Sequence, residues 1–130
     1  MRNPFEIVAW FEDAIAEYTG APYAIATTSC TESIFLCCKY LNVQNCEVTI
    51  PDKTYLSVPQ SIIQAGGVLK LEDLEWQGAY QLKPFPIYDS AKRLTSNMYI
   101  KNSYMCLSFH HKKHLKVGKG GMILTDDKEA

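Results

Sequence analysis

The chain has 130 residues, of which 47% are hydrophobic and 21% charged. These values are typical of one globular domain and exclude disordered, collagen-like and low-complexity proteins. Thirteen basic against fourteen acidic residues give a net charge of −1, so the chain lacks the electrostatic basis for binding nucleic acid or an anionic membrane. No segment resembles a signal peptide or reaches the roughly 18 apolar residues of a membrane span. We therefore expect a cytoplasmic protein.

Helical and strand-like patterns alternate along most of the chain. The first helix is predicted to begin at Asn3-Pro4, because a capping side chain precedes a proline at the first helical position, and to end at Thr19-Gly20. Between Glu72 and Pro84 the pattern predicts no element. The other predicted elements are strands at 23–27, 47–50, 68–71, 85–89, 104–109 and 121–125, and helices at about 31–41 and 55–65.

This order of elements predicts an α/β fold, with a mainly parallel central sheet flanked by helices. Strands that alternate with helices form βαβ units, whose strands run parallel. The last two predicted strands are too close in sequence for a long helix between them, so one of them can run antiparallel. We find no repeat and no linker, and expect one domain over residues 1–130.

The five cysteines indicate buried, reduced thiols. Their number is odd and no two form a C-x-x-C pair, which argues against a disulfide framework and against a zinc ribbon. Reduced thiols agree with the expected cytoplasmic location. The cysteines are Cys30, Cys37, Cys38, Cys46 and Cys106.

Polar residues follow several strands at the edge where ligands bind in α/β sheets. The turn Ser29-Cys30-Thr31 lies between a strand and a helix, so its backbone N–H groups can form an anion site; simple helix capping by Ser29 or Thr31 is the alternative. Asp89 ends an apolar strand, where its carboxylate needs a cationic partner or solvent. The partner could be a protonated ring nitrogen or an ordinary Lys or Arg.

The segment from Ser108 to His114 is dense in reactive side chains. His110 and His114 have the spacing of a metal pair on a helix, but no third ligand is evident, so we expect no metal. A basic surface loop is one interpretation. The other is a lysine amine that forms a Schiff base with a carbonyl cofactor.

These motifs together resemble the DegT/DnrJ/EryC1/StrS sugar aminotransferases, which depend on pyridoxal phosphate and have fold-type I. Ser29-Cys30-Thr31 is similar to the family's Ser-Gly-Thr, and Thr54-Tyr55 to its Thr-aromatic pair. Asp89-Ser90-Ala91 is similar to its Asp-Ala-Ala. Ser108-Phe109, Lys113 and Gly120-Gly121 keep the order and spacing of its Ser-Phe…Lys…Gly-Gly segment.

The resemblance implies a role for each matching residue. Lys113 would form the internal aldimine and then act as general acid and base, and Asp89 would pair with the pyridinium nitrogen. Tyr55 would stack on the ring. Lys92 stands where the family has Gln or His near the phenolic oxygen. As a second cation beside Lys113 it could lower the pKa of that amine by like-charge repulsion, or it could contact the phosphate instead. The implied phosphate site contains Ser29, Cys30, Thr31, the Glu32 backbone N–H and the Ser108 hydroxyl.

The chain also departs from the family pattern. The stretch from Tyr55 to Asp89 is short by one strand and its helix, and residues 72–84 stand in their place. Cys30 replaces a glycine. The family's small C-terminal domain, and a phosphate-site residue from the partner subunit, have no counterpart here. We therefore expect a single minimal cofactor-binding large domain.

The resulting hypothesis is an aminotransferase-like enzyme that acts on a keto or amino sugar, free or nucleotide-linked. A homodimer with the site at its interface is expected from the resemblance. The alternative is a protein that binds pyridoxal phosphate or another phosphorylated ligand and has lost transamination. A third hypothesis is an interaction protein without a cofactor.

Overall fold

The computed structural model describes residues 4–109 and 120–130. The predicted helices and strands are confirmed there with small shifts at their ends, and one short strand is added. The helices in this part are α1 (Pro4–Thr19), α2 (Cys30–Tyr40) and α3 (Ser57–Gln64). The strands are β1 (Tyr23–Thr27), β2 (Glu47–Pro51), β3 (Val68–Glu72), β4 (Tyr80–Gln81), β5 (Ile87–Asp89), β6 (Tyr104–Ser108) and β7 (Gly121–Thr125).

The helix ends follow from local sequence. Helix α1 begins at Pro4, whose missing N–H costs nothing in a first turn, and is followed by Gly20 at φ 82°. Helix α2 is capped by Ser29, whose hydroxyl accepts a hydrogen bond from the Glu32 N–H at 3.0 Å. None of the described helices is both long and apolar enough to cross a membrane.

The strands form a five-stranded sheet in the order β1-β7-β6-β5-β4 and a separate parallel pair, β2-β3. In the larger sheet β5 and β6 are parallel, and the other pairings are antiparallel. A bridge between Thr49 of β2 and Lys83 joins the pair to the larger sheet, with N–O distances of 2.8 and 3.0 Å.

The α/β class is therefore confirmed, but the expectation of one mainly parallel sheet needs correction. The strands β1, β2, β3, β5 and β6 run in one direction, whereas β4 and β7 run against them. The two reversed strands separate the others, so most direct pairings in the larger sheet are antiparallel. Because β1, β2, β5 and β6 share one direction, the four strand ends that were predicted to bind ligands still lie at one edge.

Hydrophobic side chains cover both faces of the larger sheet. Since neighbours along a strand point to opposite faces, Cys106 of β6 belongs to one core cluster and Met105 to the other. The first cluster packs against α2 and α3 through Ile34 and Ile62. The second contains Ile15 of α1 and Phe109. Helices on both faces agree with the predicted layers.

Residues 72–84, for which the sequence predicts no element, contain strand β4. It forms a hairpin with β5, in which Tyr80 lies opposite Asp89 and Gln81 opposite Tyr88. The Leu82 N–H donates to the Ile87 carbonyl at 2.8 Å and extends the hairpin. The hairpin thus places the side chain of Tyr80 beside Asp89 at the edge of the sheet.

Candidate functional site

The carboxyl ends of β1, β2, β5 and β6 meet at one edge of the structure. They bring together the turn at Ser29, the loop at Tyr55, and the strand-end residues Asp89 and Ser108. Because β4 and β7 run in the opposite direction, their first residues, Tyr80 and Gly121, lie at the same edge. The sequence predicted the first four positions but not the contribution of β4.

Asp89 is a buried carboxylate, with 3% of its surface exposed. Its Oδ2 accepts a hydrogen bond from the Tyr80 hydroxyl at 2.8 Å, and its Oδ1 accepts one from the Ala91 N–H at 3.0 Å. The Cys30 thiol lies 3.8 Å from Oδ1. Hydrogen bonds of this kind offset part of the cost of burying a charge and favour the ionised form.

Tyr80 is the residue that the sequence analysis missed. Its hydroxyl contacts both Asp89 Oδ2 and Thr54 Oγ1, and its ring packs edge-on against Trp76 with centroids 4.7 Å apart. Burial, and then the negative charge of Asp89, raise the pKa of Tyr80 far above its ordinary value. The phenol therefore stays protonated and acts as a donor to Asp89.

Tyr55 and Lys92 lie beside a small cavity at the same edge. The Lys92 ammonium is 5.4 Å from the centre of the Tyr55 ring and 5.2 Å from that of Trp76, within the range of cation–π attraction. Lys53, Thr54, Tyr55, Trp76 and Lys92 line the cavity, whose volume is about 230 Å³. Tyr55 is half exposed and borders this cavity; its stacking on a cofactor ring stays a prediction.

The predicted phosphate site at the start of α2 is partly used for capping. Ser29 caps the helix, which was the alternative to phosphate binding in the sequence analysis, and its hydroxyl accepts a hydrogen bond from the Glu32 N–H. The Thr28 hydroxyl contacts the Glu32 carboxylate, and Thr31 is exposed. Phosphate binding by these residues stays a prediction, and it would require the Glu32 N–H to be shared or released by Ser29.

The start of β7 packs directly on this turn. A Cβ atom on Gly121 would lie 2.3 Å from the Ser29 carbonyl carbon and 2.6 Å from the Cys30 nitrogen. Glycine is therefore required at Gly121 by close backbone contact. The Gly-Gly motif noted in the sequence thus has a packing function: it lets β7 hold the N-terminal turn of α2 in place.

The predicted reactive lysine, Lys113, lies outside the described residues, as do His110 and His114. The residues that border this segment are joined at the site's edge, where the Phe109 N–H donates to the Gly120 carbonyl at 2.9 Å. Ser108, the predicted phosphate ligand at the end of β6, is half-buried. Within residues 4–109 and 120–130, no cluster of His, Cys, Asp and Glu is suited to a metal ion.

The cysteines near the site are buried thiols rather than nucleophiles. Cys37 Sγ lies 3.8 Å from Cys106 Sγ, too far for a disulfide bond. The hydrogen bond to Cys37, together with burial, raises the pKa of Cys106 well above its usual value. Burial and the neighbouring Cys37 raise the pKa of Cys38 to about 12. A neutral thiol is a weak nucleophile, so cysteine chemistry is disfavoured at these two positions.

Three aromatic side chains are used for packing or hydrogen bonding within the fold. Tyr80 is buried, and Phe11 packs against Phe109 with ring centroids 5.0 Å apart. The Tyr104 hydroxyl donates to Asp127 at 2.5 Å. This hydrogen bond and one from Tyr40 hold the pKa of Asp127 below its ordinary value. Trp10 remains exposed on α1.

Solved structures share this fold. DesV from S. venezuelae, in complex with a ketimine intermediate, superposes with a TM-score of 0.77 at 16% identity, covering 94% of this chain and 45% of that one. DesI, in the presence of its TDP-sugar product, superposes with a TM-score of 0.73 at 19% identity, covering 96% of this chain and 42% of that one. Spr1654 from Streptococcus pneumoniae, in its PLP form, superposes with a TM-score of 0.75 at 16% identity, covering 99% of this chain and 47% of that one. The chain thus spans less than half the length of each, and the predicted fold-type I is confirmed.

Sequence comparison identifies the same group. Residues 3–88 and 98–130 match the sequence profile of the DegT/DnrJ/EryC1/StrS aminotransferase family, and no curated protein gives a significant match. The interval 89–97, with Asp89 and Lys92, lies outside the profile match. Pyridoxal phosphate is the cofactor of this family, and Spr1654 is solved in both PLP and PMP forms. The chain belongs to the DegT/DnrJ/EryC1/StrS aminotransferase family.

Proposed function

We propose that this chain binds pyridoxal phosphate and transfers an amino group to or from a keto sugar, free or nucleotide-linked. The observation that carries the proposal is the buried Asp89 carboxylate at the site's edge, held by hydrogen bonds from Tyr80 and the Ala91 N–H. A buried, ionised carboxylate suits pairing with a protonated ring nitrogen. Family membership supports the same assignment.

The residues around Asp89 fit the cofactor in chemistry. Tyr55 offers an aromatic face, and the hydroxyl of Ser108 and the N-terminal turn of α2 offer donors of the kind that bind phosphate. Lys92 brings positive charge to the cavity beside Tyr55, which favours an anionic ligand. The ammonium of Lys53, which also lines the cavity, is paired with the Glu75 carboxylate at 2.5 Å. We therefore propose that Lys92 either contacts the phosphate or acts as a second cation beside the Lys113 amine, the two roles that the sequence left open.

When bound, pyridoxal phosphate supplies an aldehyde that attaches to amines and a ring that takes up the electron pair released by proton loss. We propose that the Lys113 amine would anchor the aldehyde covalently, and would afterwards take the proton from the amino-bearing carbon of the substrate and deliver it to the aldehyde carbon of the cofactor. Asp89 keeps the ring nitrogen protonated through its negative charge. Tyr55 would stack on the ring, and the Ser108 hydroxyl would bind the phosphate oxygens.

The deciding experiment is a visible spectrum of the purified protein with pyridoxal phosphate, followed by borohydride reduction and peptide mass mapping. A new absorption band and a reduced adduct on Lys113 are expected in the unaltered protein, and neither in Lys113→Ala. Lys112→Ala is the matched control and is expected to keep both. An adduct on Lys92 or Lys112 would contradict the assignment of Lys113.

A second step separates transamination from simple binding. Adding an amino donor such as glutamate is expected to convert the bound cofactor to its amine form, with loss of the first band. Binding without conversion by any donor tested would instead support the protein that keeps the cofactor and has lost transamination. Absence of any band would contradict the whole proposal.

We also propose a cytoplasmic homodimer with the site at the subunit interface. Helix α1 supports this assembly, because Ile7 and Val8 are 53% and 43% exposed although both are apolar. Burial of such side chains favours association. Sedimentation equilibrium is expected to give twice the chain mass, and Ile7→Lys to give a monomer. A monomeric unaltered protein at all concentrations would contradict the dimer.

A further inference from the structure

A chain of hydrogen bonds crosses the site from Thr54 through Tyr80 to Asp89. The Thr54 hydroxyl contacts the Tyr80 hydroxyl, which lies 2.8 Å from Asp89 Oδ2. An ionised carboxylate can only accept and a phenol carries one proton, so Tyr80 donates to Asp89. Thr54 must then donate to the phenol oxygen. With Asp89 ionised, this count of protons determines the direction of both hydrogen bonds.

The hairpin and its surroundings restrict the Tyr80 side chain to this position. Strand pairing places Tyr80 opposite Asp89, and the residue, only 5% exposed, packs against Trp76 and the first core cluster. The Trp76 indole N–H in turn donates to the Lys53 carbonyl at 2.8 Å. Trp76 and the core cluster thus restrict the Tyr80 side chain. Because its conformation is already fixed, little conformational entropy is lost when it orients a neighbouring group.

We propose that Tyr80 is a positioning residue, whose phenol orients the Asp89 carboxylate and stabilises its ionised form, with Thr54 orienting the phenol. The inference rests on the proposed function, in which Asp89 pairs with the ring nitrogen of the cofactor. Thr54 directly precedes Tyr55, the proposed stacking residue. The hydrogen-bonded chain therefore runs from the neighbour of the proposed stacking residue to the carboxylate proposed to pair with the ring nitrogen.

The other described groups that face Asp89 do not replace Tyr80. Cys30 of α2 is a weak thiol donor at 3.8 Å, and it also lies 3.5 Å from the Cys106 carbonyl of β6. The Cys106 thiol is fully buried, and its raised pKa keeps it neutral. The Ala91 N–H donates to Oδ1. Tyr80 is therefore the side-chain oxygen donor to the carboxylate among these groups.

The test is the titration of the Asp89 carboxyl carbon by NMR in the cofactor-free protein, with the signal assigned by its absence in Asp89→Asn. Tyr80→Phe keeps the ring packing and removes the donor. Since a hydrogen bond to a charged group stabilises it, the acid dissociation constant of Asp89 is expected to fall about tenfold in this variant. Its pKa therefore rises. An unchanged titration in a folded Tyr80→Phe protein would overturn the proposal.

Tyr88→Phe is the matched control. Tyr88 is in the same hairpin, next to Asp89, but packs against the second core cluster on the other face. Loss of the Tyr88 hydroxyl is expected to change the acid dissociation constant of Asp89 less than twofold. An equal change in both variants would mean that the effect comes from general loosening of the hairpin, which contradicts a specific donor.

Thr54→Val gives a second, independent variant that leaves the phenol in place. It is expected to shift the Asp89 titration in the same direction but by less, and it decides the matter if Tyr80→Phe does not fold. Because these titrations use cofactor-free protein, they remain valid if the protein takes up no pyridoxal phosphate. A protein that takes up no pyridoxal phosphate would contradict the proposed function. The titrations would still test whether Tyr80 stabilises the ionised form of Asp89.

Discussion

Replacement of Asp89 with Asn is expected to slow amino-group transfer by roughly a hundredfold to a thousandfold, the range for loss of one preorganised electrostatic group. The amide is nearly the same size as the carboxylate, so packing against Tyr80 and Cys30 is preserved. It carries no negative charge, however, and does not hold a proton on the ring nitrogen. The ring then becomes a weaker acceptor for the electron pair released from the substrate.

Asp73→Asn is the matched control for this prediction. Asp73 is an exposed acid in the segment after β3, and its replacement changes the net charge of the chain by the same amount. Single-turnover rates with a saturating amino donor are the measurement. Equal rates in Asp89→Asn and in the unaltered protein would show that another group protonates the ring.

Gly121→Ala is expected to destabilise the fold by about 3 kcal/mol, the upper part of the usual range for overpacking. The added Cβ would lie 2.5 Å from the Ser29 carbonyl oxygen and 2.6 Å from the Cys30 nitrogen. Both neighbours are backbone atoms, which cannot rotate away as a side-chain end can. Strand β7 and the start of α2 would have to separate, and the turn proposed to bind phosphate would shift with them.

Gly20→Ala provides the comparison for Gly121→Ala. Gly20 has φ 82°, but its added Cβ would meet atoms at 3.6 Å or farther. Only the left-handed conformation is then penalised, at about 1 kcal/mol. The measurement is urea unfolding at pH 7. Equal losses in the two variants would contradict the close-contact explanation for Gly121.

Local patterns in the sequence predicted much of the fold. Ser29 was foreseen as a helix cap, and the β7 boundaries at Gly121 and Thr125 agree with the structure. These features depend on a few neighbouring residues, which is why they can be read from the chain. The edge holding Asp89 and Ser108 was also foreseen, since the direction of a βαβ unit determines which strand ends meet.

The features that were missed depend on contacts between distant residues. Strand β4 has two residues, too few for an alternating pattern, and exists because it pairs with β5. The pairing of β7 with β1 likewise has no local signature. Tyr80 was not recognised as a site residue, because nothing in its own segment indicates the carboxylate beside it. The apolar–polar–apolar order of Tyr80, Gln81 and Leu82 is a signal in the sequence that could have suggested a short strand.

The β4–β5 hairpin also affects the order in which the site assembles during folding. Tyr80 and Asp89 are nine residues apart, whereas Cys30 and Asp89 are separated by 59 and Thr54 and Tyr80 by 26. Short loops close at lower entropic cost, and hairpins form in about 1–10 μs. The carboxylate therefore acquires its phenol partner through local chain closure, before the slower, long-range docking of α2 and the β2 loop completes the pocket around it.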